Sequence, residues 1–268
     1  MNRALLVGIN EYPDPENHLS GCVNDVQDMA QFLVEKCGFK KAEIRLLVDK
    51  RATTVGIRER LGWLLNGLRS GDRVVFHFSG HGAQMPTRNA SGEVDRLDEV
   101  ICPWDFDWTD PHVIRDKEFA RLFAEVPDGV SFVWVSDSCH SGNLTRALRK
   151  PNDPKEKNFF VPADIAWRIQ TALEKGIQPA GLGKDTLKNV ALIPGCKDNQ
   201  TSADAVFGGR PTGALTYFLL QELRTQDGLR NPLKTGVGNV AKALKAARFT
   251  QIPVPEGSSK LIAKAFLG

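Results

Sequence analysis

Two short motifs in this sequence place a reactive side chain beside glycine, directly after a run of apolar residues. The first motif is Ser79-Gly80-His81-Gly82, and the second is Asp137-Ser138-Cys139-His140-Ser141-Gly142. A cysteine thiolate can attack a carbonyl carbon, an imidazole can move the proton, and backbone N–H groups can hold the oxyanion. Glycine lets the backbone approach a ligand closely. Together the two motifs predict nucleophilic catalysis by Cys139 and His81.

Each motif on its own also has a structural explanation. A single buried cysteine usually packs as a small apolar side chain, and a single histidine at a strand end is more often structural. Two such motifs on successive strand exits favour a catalytic pair. His77 precedes His81 by four residues and could share a metal ion with it. No third ligand has suitable spacing, so a zinc site is not favoured. We interpret His140 as a turn residue.

Alternating strand and helix patterns must position these motifs. Apolar runs predict strands over 3–9, 43–48, 73–78, 130–136 and 190–194, and a final short strand over 251–255. Helical spacing of apolar residues predicts helices over 24–37, 54–68, 116–123, 213–223 and 237–247, with Asn24 and Thr53 or Thr54 as N-caps. This order predicts an α/β fold with a mostly parallel central sheet and helices on both faces. Ligands bind beyond the carboxyl ends of such strands, where both motifs lie.

The chain of 268 residues is long enough for one domain of this class, over 1–268. The stretch 143–188 is interrupted by prolines and glycines and is predicted to be an irregular linker. It separates a larger part, about 1–142, from a smaller part, 189–268, of the same sheet.

Composition excludes several functional classes. The 35 basic and 32 acidic side chains give a net charge of +3 with no basic stripe, so we expect no nucleic-acid partner. No apolar run approaches the ~20 residues of a membrane span, and the first residues do not resemble a secretory signal. The five cysteines form no C-x-x-C pair, which predicts reduced thiols and a cytoplasmic protein.

The His and Cys motifs resemble those of metacaspases, the caspase-like peptidases of plants, fungi, protists and bacteria. Other segments resemble metacaspase motifs in the same order along nearly the whole chain. They are Leu19-Ser20-Gly21-Cys22-Val23-Asn24-Asp25-Val26, Asp98-Glu99-Val100-Ile101-Cys102-Pro103-Trp104-Asp105, Gln200-Thr201-Ser202-Ala203-Asp204 and Gln251-Ile252-Pro253-Val254-Pro255-Glu256-Gly257. The resemblance implies a caspase–hemoglobinase fold and a cysteine endopeptidase that cleaves after Arg or Lys.

A pocket for a basic side chain needs carboxylates. Asp137 lies two residues before Cys139, so in a strand it can point to the same side. The resemblance implies that Asp25 is the second pocket acid and that Cys22 lines the same pocket, and Ser79 has the equivalent placement before His81. Asp25 could instead stabilise the N-terminus of the first helix, and Asp204 ranks lower as a pocket acid.

The resemblance also implies a mechanism for the site. Cys139 would attack the carbonyl after Arg or Lys, and the N–H groups of Gly82 and Cys139 would hold the oxyanion. His81 would protonate the leaving amine and then activate water. No cofactor is needed for this chemistry.

Calcium activation is a further expectation from the resemblance, with Asp98 and Asp116 as candidate ligands. Calcium requires an oxygen-rich site, and other acidic residues lie nearby. Arg146 stands where relatives have another aspartate, and a cation there opposes a divalent ion. A solvated acidic loop is the alternative.

Three basic residues of the irregular stretch, Arg146, Arg149 and Lys150, offer candidate sites for self-cleavage. The expected partners are protein or peptide substrates with Arg or Lys at the cleaved position, and the resemblance implies a monomer. The alternatives are a catalytically silent caspase-like scaffold, a gingipain- or separase-type peptidase, and a hydrolase of another kind on an α/β scaffold.

Overall fold

A computed structural model describes residues 1–88, 94–140, 154–180, 187–197 and 200–268. Its strands are β1 Asn2–Gly8, β2 Ile44–Val48, β3 Arg73–Ser79, β4 Gly82–Arg88, β5 Val94–Ile101, β6 Ile114–Arg115, β7 Ser131–Asp137, β8 Lys155–Glu156, β9 Pro179–Ala180, β10 Ala191–Pro194, β11 Ala203–Phe207 and β12 Arg210–Gly213. Its α-helices are α1 Cys22–Cys37, α2 Thr54–Leu65, α3 Asp116–Ala124, α4 Ala163–Glu174, α5 Ala214–Leu223, α6 Leu233–Ala246 and α7 Ser259–Ile262. None of these helices has both the length and the apolar character needed to cross a membrane.

The central sheet of the described residues has five parallel strands in the order β10-β7-β3-β1-β2. Its two faces carry separate apolar clusters. One cluster packs α2 and α3 against the sheet, and the other packs α1, α5 and α6. The sheet strands are apolar almost throughout because both faces are covered. The predicted α/β layering is therefore confirmed.

Local sequence explains where the first two helices start and stop. Thr53 caps α2 by accepting a hydrogen bond from the Gly56 N–H at 3.1 Å, as predicted. Gly38 ends α1 in the left-handed region at φ 73°. The predicted cap at Asn24 is wrong, because α1 begins at Cys22 after Gly21. The Asn24 amide instead donates to the carbonyl of Pro211 at 2.8 Å.

The stretch 143–188 is more regular than predicted. Its described part contains β8 and the twelve-residue helix α4, whose Ile169 and Ala172 pack on Leu97. That helix covers the antiparallel hairpin of β4 and β5, which the sequence analysis also missed.

The strand predicted over 251–255 is wrong. The segment has no strand conformation, and the bridge nearest to it joins Leu192 to Glu256. Pro253 and Pro255 have no N–H groups with which to extend a ladder. The side chain of Gln251 donates instead to the Gly195 carbonyl at 2.9 Å.

Candidate active site

His81 and Cys139 follow the carboxyl ends of the neighbouring strands β3 and β7, whose last paired residues are Ser79 and Asp137. Both side chains are buried. His81 Nε2 lies 2.8 Å from the carbonyl oxygen of Asn17, so Nε2 carries the proton and donates it. His81 Nδ1 is buried without a hydrogen-bond partner among the described residues. Its lone pair is therefore free to accept a proton.

Burial also sets the charge of this histidine. It lowers the pKa of His81 to about 4, against smaller opposing effects of the Asn17 and Lys157 backbone groups. The imidazole is neutral near pH 7. A neutral ring with a free Nδ1 can act as a base.

The thiols of Cys139 and Cys196 share one acceptor. Each donates to the carbonyl oxygen of Gln200 at 3.1 Å. The hydrogen bond with Cys139, together with burial, raises the pKa of the Cys196 thiol far above its usual value. The sequence analysis assigned no role to Cys196, and the structure makes it a neighbour of Cys139.

A fully buried ammonium group lies between the two predicted pocket acids. Lys157 Nζ is 3.2 Å from Asp25 Oδ2 and 3.1 Å from Asp137 Oδ1. It also donates to Ser79 Oγ at 2.9 Å, and Ser79 Oγ donates to Asp25 Oδ2 at 2.7 Å. The three predicted residues Asp25, Asp137 and Ser79 thus come together around a lysine that the sequence analysis did not single out.

Hydrogen bonds fix the orientation of Asp137. Ser202 Oγ donates to Oδ1 at 2.7 Å, and the N–H and hydroxyl of Thr216 donate to Oδ2 at 3.0 and 2.8 Å. Burial opposes ionisation, but Lys157 and these donors outweigh it and hold the pKa of Asp137 below its usual value. Asp137 is therefore ionised near pH 7.

Asp25 is held less firmly in its ionised form. One N–H group, that of Gly213, donates to Oδ1 at 2.8 Å. Burial raises the pKa of Asp25 to about 6; Lys157 opposes that rise and Asp137 adds to it. Asp25 was alternatively expected to stabilise the N-terminus of the first helix, α1. Its carboxylate oxygens instead contact Lys157, Ser79 and Gly213.

The backbone of Lys157 is held as firmly as its side chain. Its carbonyl oxygen accepts from the N–H groups of Gly82 and Cys139 at 3.0 and 3.2 Å. Its own N–H donates to the Ser202 carbonyl at 2.9 Å. Upstream, β8 pairs antiparallel with Ala203 and Asp204 of β11.

The chain continues past Lys157 along the same cleft. Asn158 bridges Gly82, and the Phe159 N–H donates to the Gly82 carbonyl at 3.1 Å. The segment 155–159 therefore lies extended between β11 on one side and Gly82 on the other.

The remaining predicted pocket residue, Cys22, borders this cluster. Burial raises the pKa of the Cys22 thiol well above its usual value, with Ser79 as a hydrogen-bond partner and Lys157 as a nearby charge. The carboxylate of Asp204, the lower-ranked pocket acid, accepts from the N–H groups of Ser20 and Gly21 at 2.7 and 2.9 Å. It fixes the loop that precedes α1, the helix that carries Cys22 and Asp25.

Gly213 is a further residue that the sequence analysis missed. A Cβ atom there would collide with the carboxylates of Asp25 and Asp137 and with the Lys157 ammonium. The pocket exists only because residue 213 has no side chain. Ser202 was within a recognised motif, whereas Gly213 and Thr216 carried no signal beyond the start of an apolar helix.

Comparison with known proteins identifies the family. The family profile described as "Metacaspase, peptidase C14 domain" matches residues 2–147. Metacaspase-1 of Scheffersomyces stipitis is 32% identical over 94% of this chain and 69% of its own length. Metacaspase-1 of Schizosaccharomyces pombe is 32% identical over 94% of this chain and 66% of its own. This chain belongs to the metacaspase family.

Solved structures show the same fold. A crystal structure of a Geobacter sulfurreducens protein has a TM-score of 0.66 and 24% identity, covering 99% of this chain and 98% of that one. Caspase-1 from Spodoptera frugiperda has a TM-score of 0.58 and 11% identity, covering 95% and 84%. The caspase-like fold predicted for this metacaspase is confirmed, and the chain spans about two thirds of the length of the two yeast relatives.

The candidate calcium residues of this metacaspase are paired with cations. The Asp98 carboxylate contacts Arg96 Nε at 2.6 Å, Arg115 at 2.8 Å and Lys117 Nζ at 3.0 Å. Arg96 also contacts Asp116 at 3.1 Å. Three cations surround the oxygens that a divalent ion would need, so the arrangement does not fit calcium at Asp98. Calcium activation stays a prediction.

The two other histidines near the motifs each have a hydrogen-bonding partner. His77 Nε2 contacts Thr216 Oγ1 at 3.2 Å, and His140 Nδ1 lies 3.1 Å from the Val100 carbonyl. Within the described residues no three His, Cys, Asp or Glu side chains are grouped so that they could hold a metal ion. The candidate self-cleavage residues Arg146, Arg149 and Lys150 lie outside the described residues.

Proposed function

We propose that this metacaspase is an endopeptidase that hydrolyses peptide bonds after Lys or Arg, with Cys139 as nucleophile and His81 as proton carrier. One observation carries the proposal: Lys157 of the same chain has its ammonium between two buried carboxylates and its carbonyl oxygen on the N–H groups of Gly82 and Cys139. The residue before a cleaved bond needs both contacts. The contact of its side chain gives specificity, and the contact of its carbonyl oxygen with the N–H groups serves catalysis.

The proposed reaction uses groups already described. His81 Nδ1 takes the proton of the Cys139 thiol, and the sulfur attacks the carbonyl carbon. The negative oxygen that forms is stabilised by the N–H groups of Gly82 and Cys139, because preorganised donors favour the charged intermediate over the neutral carbonyl. The protonated imidazole then protonates the leaving amine, which departs and leaves an acyl-enzyme. His81 next activates a water molecule that releases the acid product.

Charge supports a preference for basic side chains. Asp137 is held ionised by its donors, and Asp25 supplies a second carboxylate. In a buried site an unpaired carboxylate is costly, and a ligand cation removes that cost. An Asp side chain in the same pocket would meet two carboxylates and no cation, so we expect cleavage after Asp to be negligible.

The same contacts imply that the chain occupies its own cleft. A foreign substrate can bind only after the segment around Lys157 has left, either by hydrolysis of the Lys157–Asn158 bond or by release of the uncut segment. This bond is an additional candidate for self-cleavage, besides those after Arg146, Arg149 and Lys150.

The test is hydrolysis of fluorogenic peptides that end in Arg, Lys or Asp, with wild type, Cys139→Ala and His81→Ala. We expect Arg and Lys peptides to be cleaved and each variant to lose at least about 10³-fold in kcat/KM while keeping its Tm. Cys37→Ala is the matched control, because that cysteine is the last residue of α1 and packs in the apolar cluster on that side of the sheet. Retention of normal activity by Cys139→Ala would overturn the proposal.

Two further proposals complete the functional assignment. A silent scaffold would neither cleave these peptides nor react with an Arg chloromethylketone, and we expect Cys139 to be labelled. We also expect a monomer acting on protein or peptide substrates, which size-exclusion chromatography with light scattering can measure.

A further inference from the structure

We propose that the cleft has an aromatic pocket that selects an aromatic side chain two residues after the cleaved bond. This inference rests on the proposed function. The occupant that defines the pocket is Phe159, which follows Lys157 by two residues and is only 7% exposed.

Four rings surround the Phe159 side chain. The Phe106 ring lies 5.0 Å away and the Tyr12 ring 5.3 Å away, both edge-on. The rings of His81 and Trp108 lie at 5.6 and 6.3 Å. Edge-to-face contacts at these separations favour an aromatic occupant over an aliphatic one of similar size.

The pocket wall does not depend on the segment that fills it. Tyr12 is fixed at its hydroxyl, which donates to the Cys102 carbonyl at 3.1 Å and accepts from the His81 N–H at 2.9 Å. Phe106 and Trp108 pack on each other at 5.0 Å. The wall therefore consists of a rigid tyrosine and a self-packed aromatic pair, which would remain when the segment leaves.

The backbone contacts limit the selectivity to one position. The Phe159 N–H is bonded to the Gly82 carbonyl, which points the side chain towards the rings. The next residue, Phe160, bonds through its N–H to Asn17 Oδ1 at 3.1 Å, and its side chain is 51% exposed. A substrate's third residue after the cut would be half exposed, so we expect a weaker preference there than at the second residue.

The pocket also explains how the segment stays in the cleft. Lys157 anchors one side of the Lys157–Asn158 bond in the acidic pocket, and Phe159 anchors the other side among the rings. Loss of the Phe159 ring should loosen the segment and speed cleavage of added peptides.

The experiment compares two internally quenched peptides, identical except for Phe or Ala at the second position after a single Arg. With wild type we expect kcat/KM to be about 10- to 100-fold higher for the Phe peptide. Phe106→Leu and Trp108→Ala should each bring that ratio towards one. Trp63→Ala is the matched control, because Trp63 on α2 stacks with Arg3 and Arg45 near the amino ends of β1 and β2, at the opposite end of the sheet from His81. The ratio of this variant should stay at the wild-type value.

The outcomes separate this inference from the proposed function. If neither peptide is cleaved, the proposed function fails. If wild type cleaves both peptides at equal rates, the aromatic pocket is refuted while the peptidase assignment stands, and this comparison needs no variant. Phe159→Ala, compared with wild type while intact-mass spectrometry shows the Lys157–Asn158 bond uncut in both, gives a second readout: faster hydrolysis of the Phe peptide supports the pocket, and an unchanged rate contradicts it.

Discussion

Two pairs of buried carboxylates in this molecule are both neutralised by cations, but in opposite ways. Asp98 and Asp116 are paired with Arg96, Arg115 and Lys117, which flank them in the sequence. We refer to these residues as the local cluster. Asp25 and Asp137 have no basic neighbour in the sequence and meet Lys157 from a distant segment.

We interpret this difference as that between a structural site and the proposed binding site. In the local cluster the cations are attached to the same hairpin and helix start as the acids, so the charges stay matched whatever happens elsewhere. In the pocket the acids are fixed by hydrogen bonds that contain no cation, and the charge is balanced only while a separate lysine is present. Acids that are preorganised but not locally paired are suited to bind a cationic ligand.

Among the substitutions that test this comparison, replacement of Lys157 should have the largest effect, which is on cleavage of the chain after residue 157. Lys157→Gln removes the cation and should abolish cleavage after residue 157, whereas Lys157→Arg should retain it. Intact-mass spectrometry of the purified proteins measures the cut. Lys155→Gln is the control, since that exposed lysine donates to the His18 carbonyl and, among the described residues, contacts neither pocket acid. A fragment boundary after residue 157 in Lys157→Gln would contradict the account.

Neutralisation of the pocket acids should have the next largest effect, a loss of kcat/KM for Arg peptides. Asp137→Asn should lower kcat/KM for Arg peptides by about 10²- to 10³-fold, because it removes the firmly ionised member of the pair. Asp25→Asn should cost about tenfold, because fewer hydrogen bonds orient Asp25 than orient Asp137. Equal losses in the two variants, or a larger loss in Asp25→Asn, would show that Asp137 does not supply most of the negative charge that binds the substrate.

The local cluster should affect stability rather than specificity. Arg115→Gln leaves Asp98 with fewer partners and should lower the free energy of unfolding by about 1–3 kcal/mol in urea titrations. Arg60→Gln, which breaks an exposed pair with Glu59, should change it by less than about 0.5 kcal/mol. The ratio of Arg to citrulline peptide hydrolysis should be unchanged in Arg115→Gln. Activation by calcium beyond an EGTA control would confirm the prediction of calcium activation, and its loss in Asp98→Asn would assign the ion to this cluster.

The last prediction is a pH dependence of stability at His77, which tests burial and not the charge pairing of either site. Burial lowers the pKa of His77 to about 3, below the ordinary 6.5. The unfolded chain therefore binds a proton that the folded chain does not, and stability is lost as pH falls from about 6.5, by about 1.4 kcal/mol per unit for each such group. His81 acts in the same direction down to about pH 4.

Asp25 opposes these histidines between about pH 6 and 4, because its raised pKa makes the folded state take up a proton first. In His77→Gln, thermal stability should therefore fall less steeply with decreasing pH than in wild type. An unchanged slope would show that another group controls the acid sensitivity.

The sequence was informative wherever local pattern determined local structure. The apolar runs before Ser79 and Asp137 predicted adjacent parallel strands, and strand ends in such a sheet meet at one edge. That reasoning, with the family resemblance, brought His81, Cys139, Asp25 and Asp137 to one site. Helix α4 could also have been found, because Ile165, Ile169 and Ala172 follow helical spacing after Pro162.

The pocket's occupant could not be found in that way. Lys157 lies in a stretch broken by prolines, and its place depends on pairing with β11, nearly fifty residues later in the chain. Nothing in the neighbouring sequence specifies such a long-range contact. The same holds for Gly213 and Thr216, whose importance comes from the approach of α5 to the ends of β3 and β7.

The central claim is that the pocket around Lys157 selects the residue before the cleaved bond. Its most direct test is the kcat/KM of wild type for matched peptides with Arg, Lys, citrulline or Asp at that position, because citrulline keeps the shape of arginine without its charge. The account predicts that Arg and Lys exceed citrulline by about 10³-fold and that Asp is not cleaved. Equal rates for Arg and citrulline, or cleavage after Asp, would contradict it.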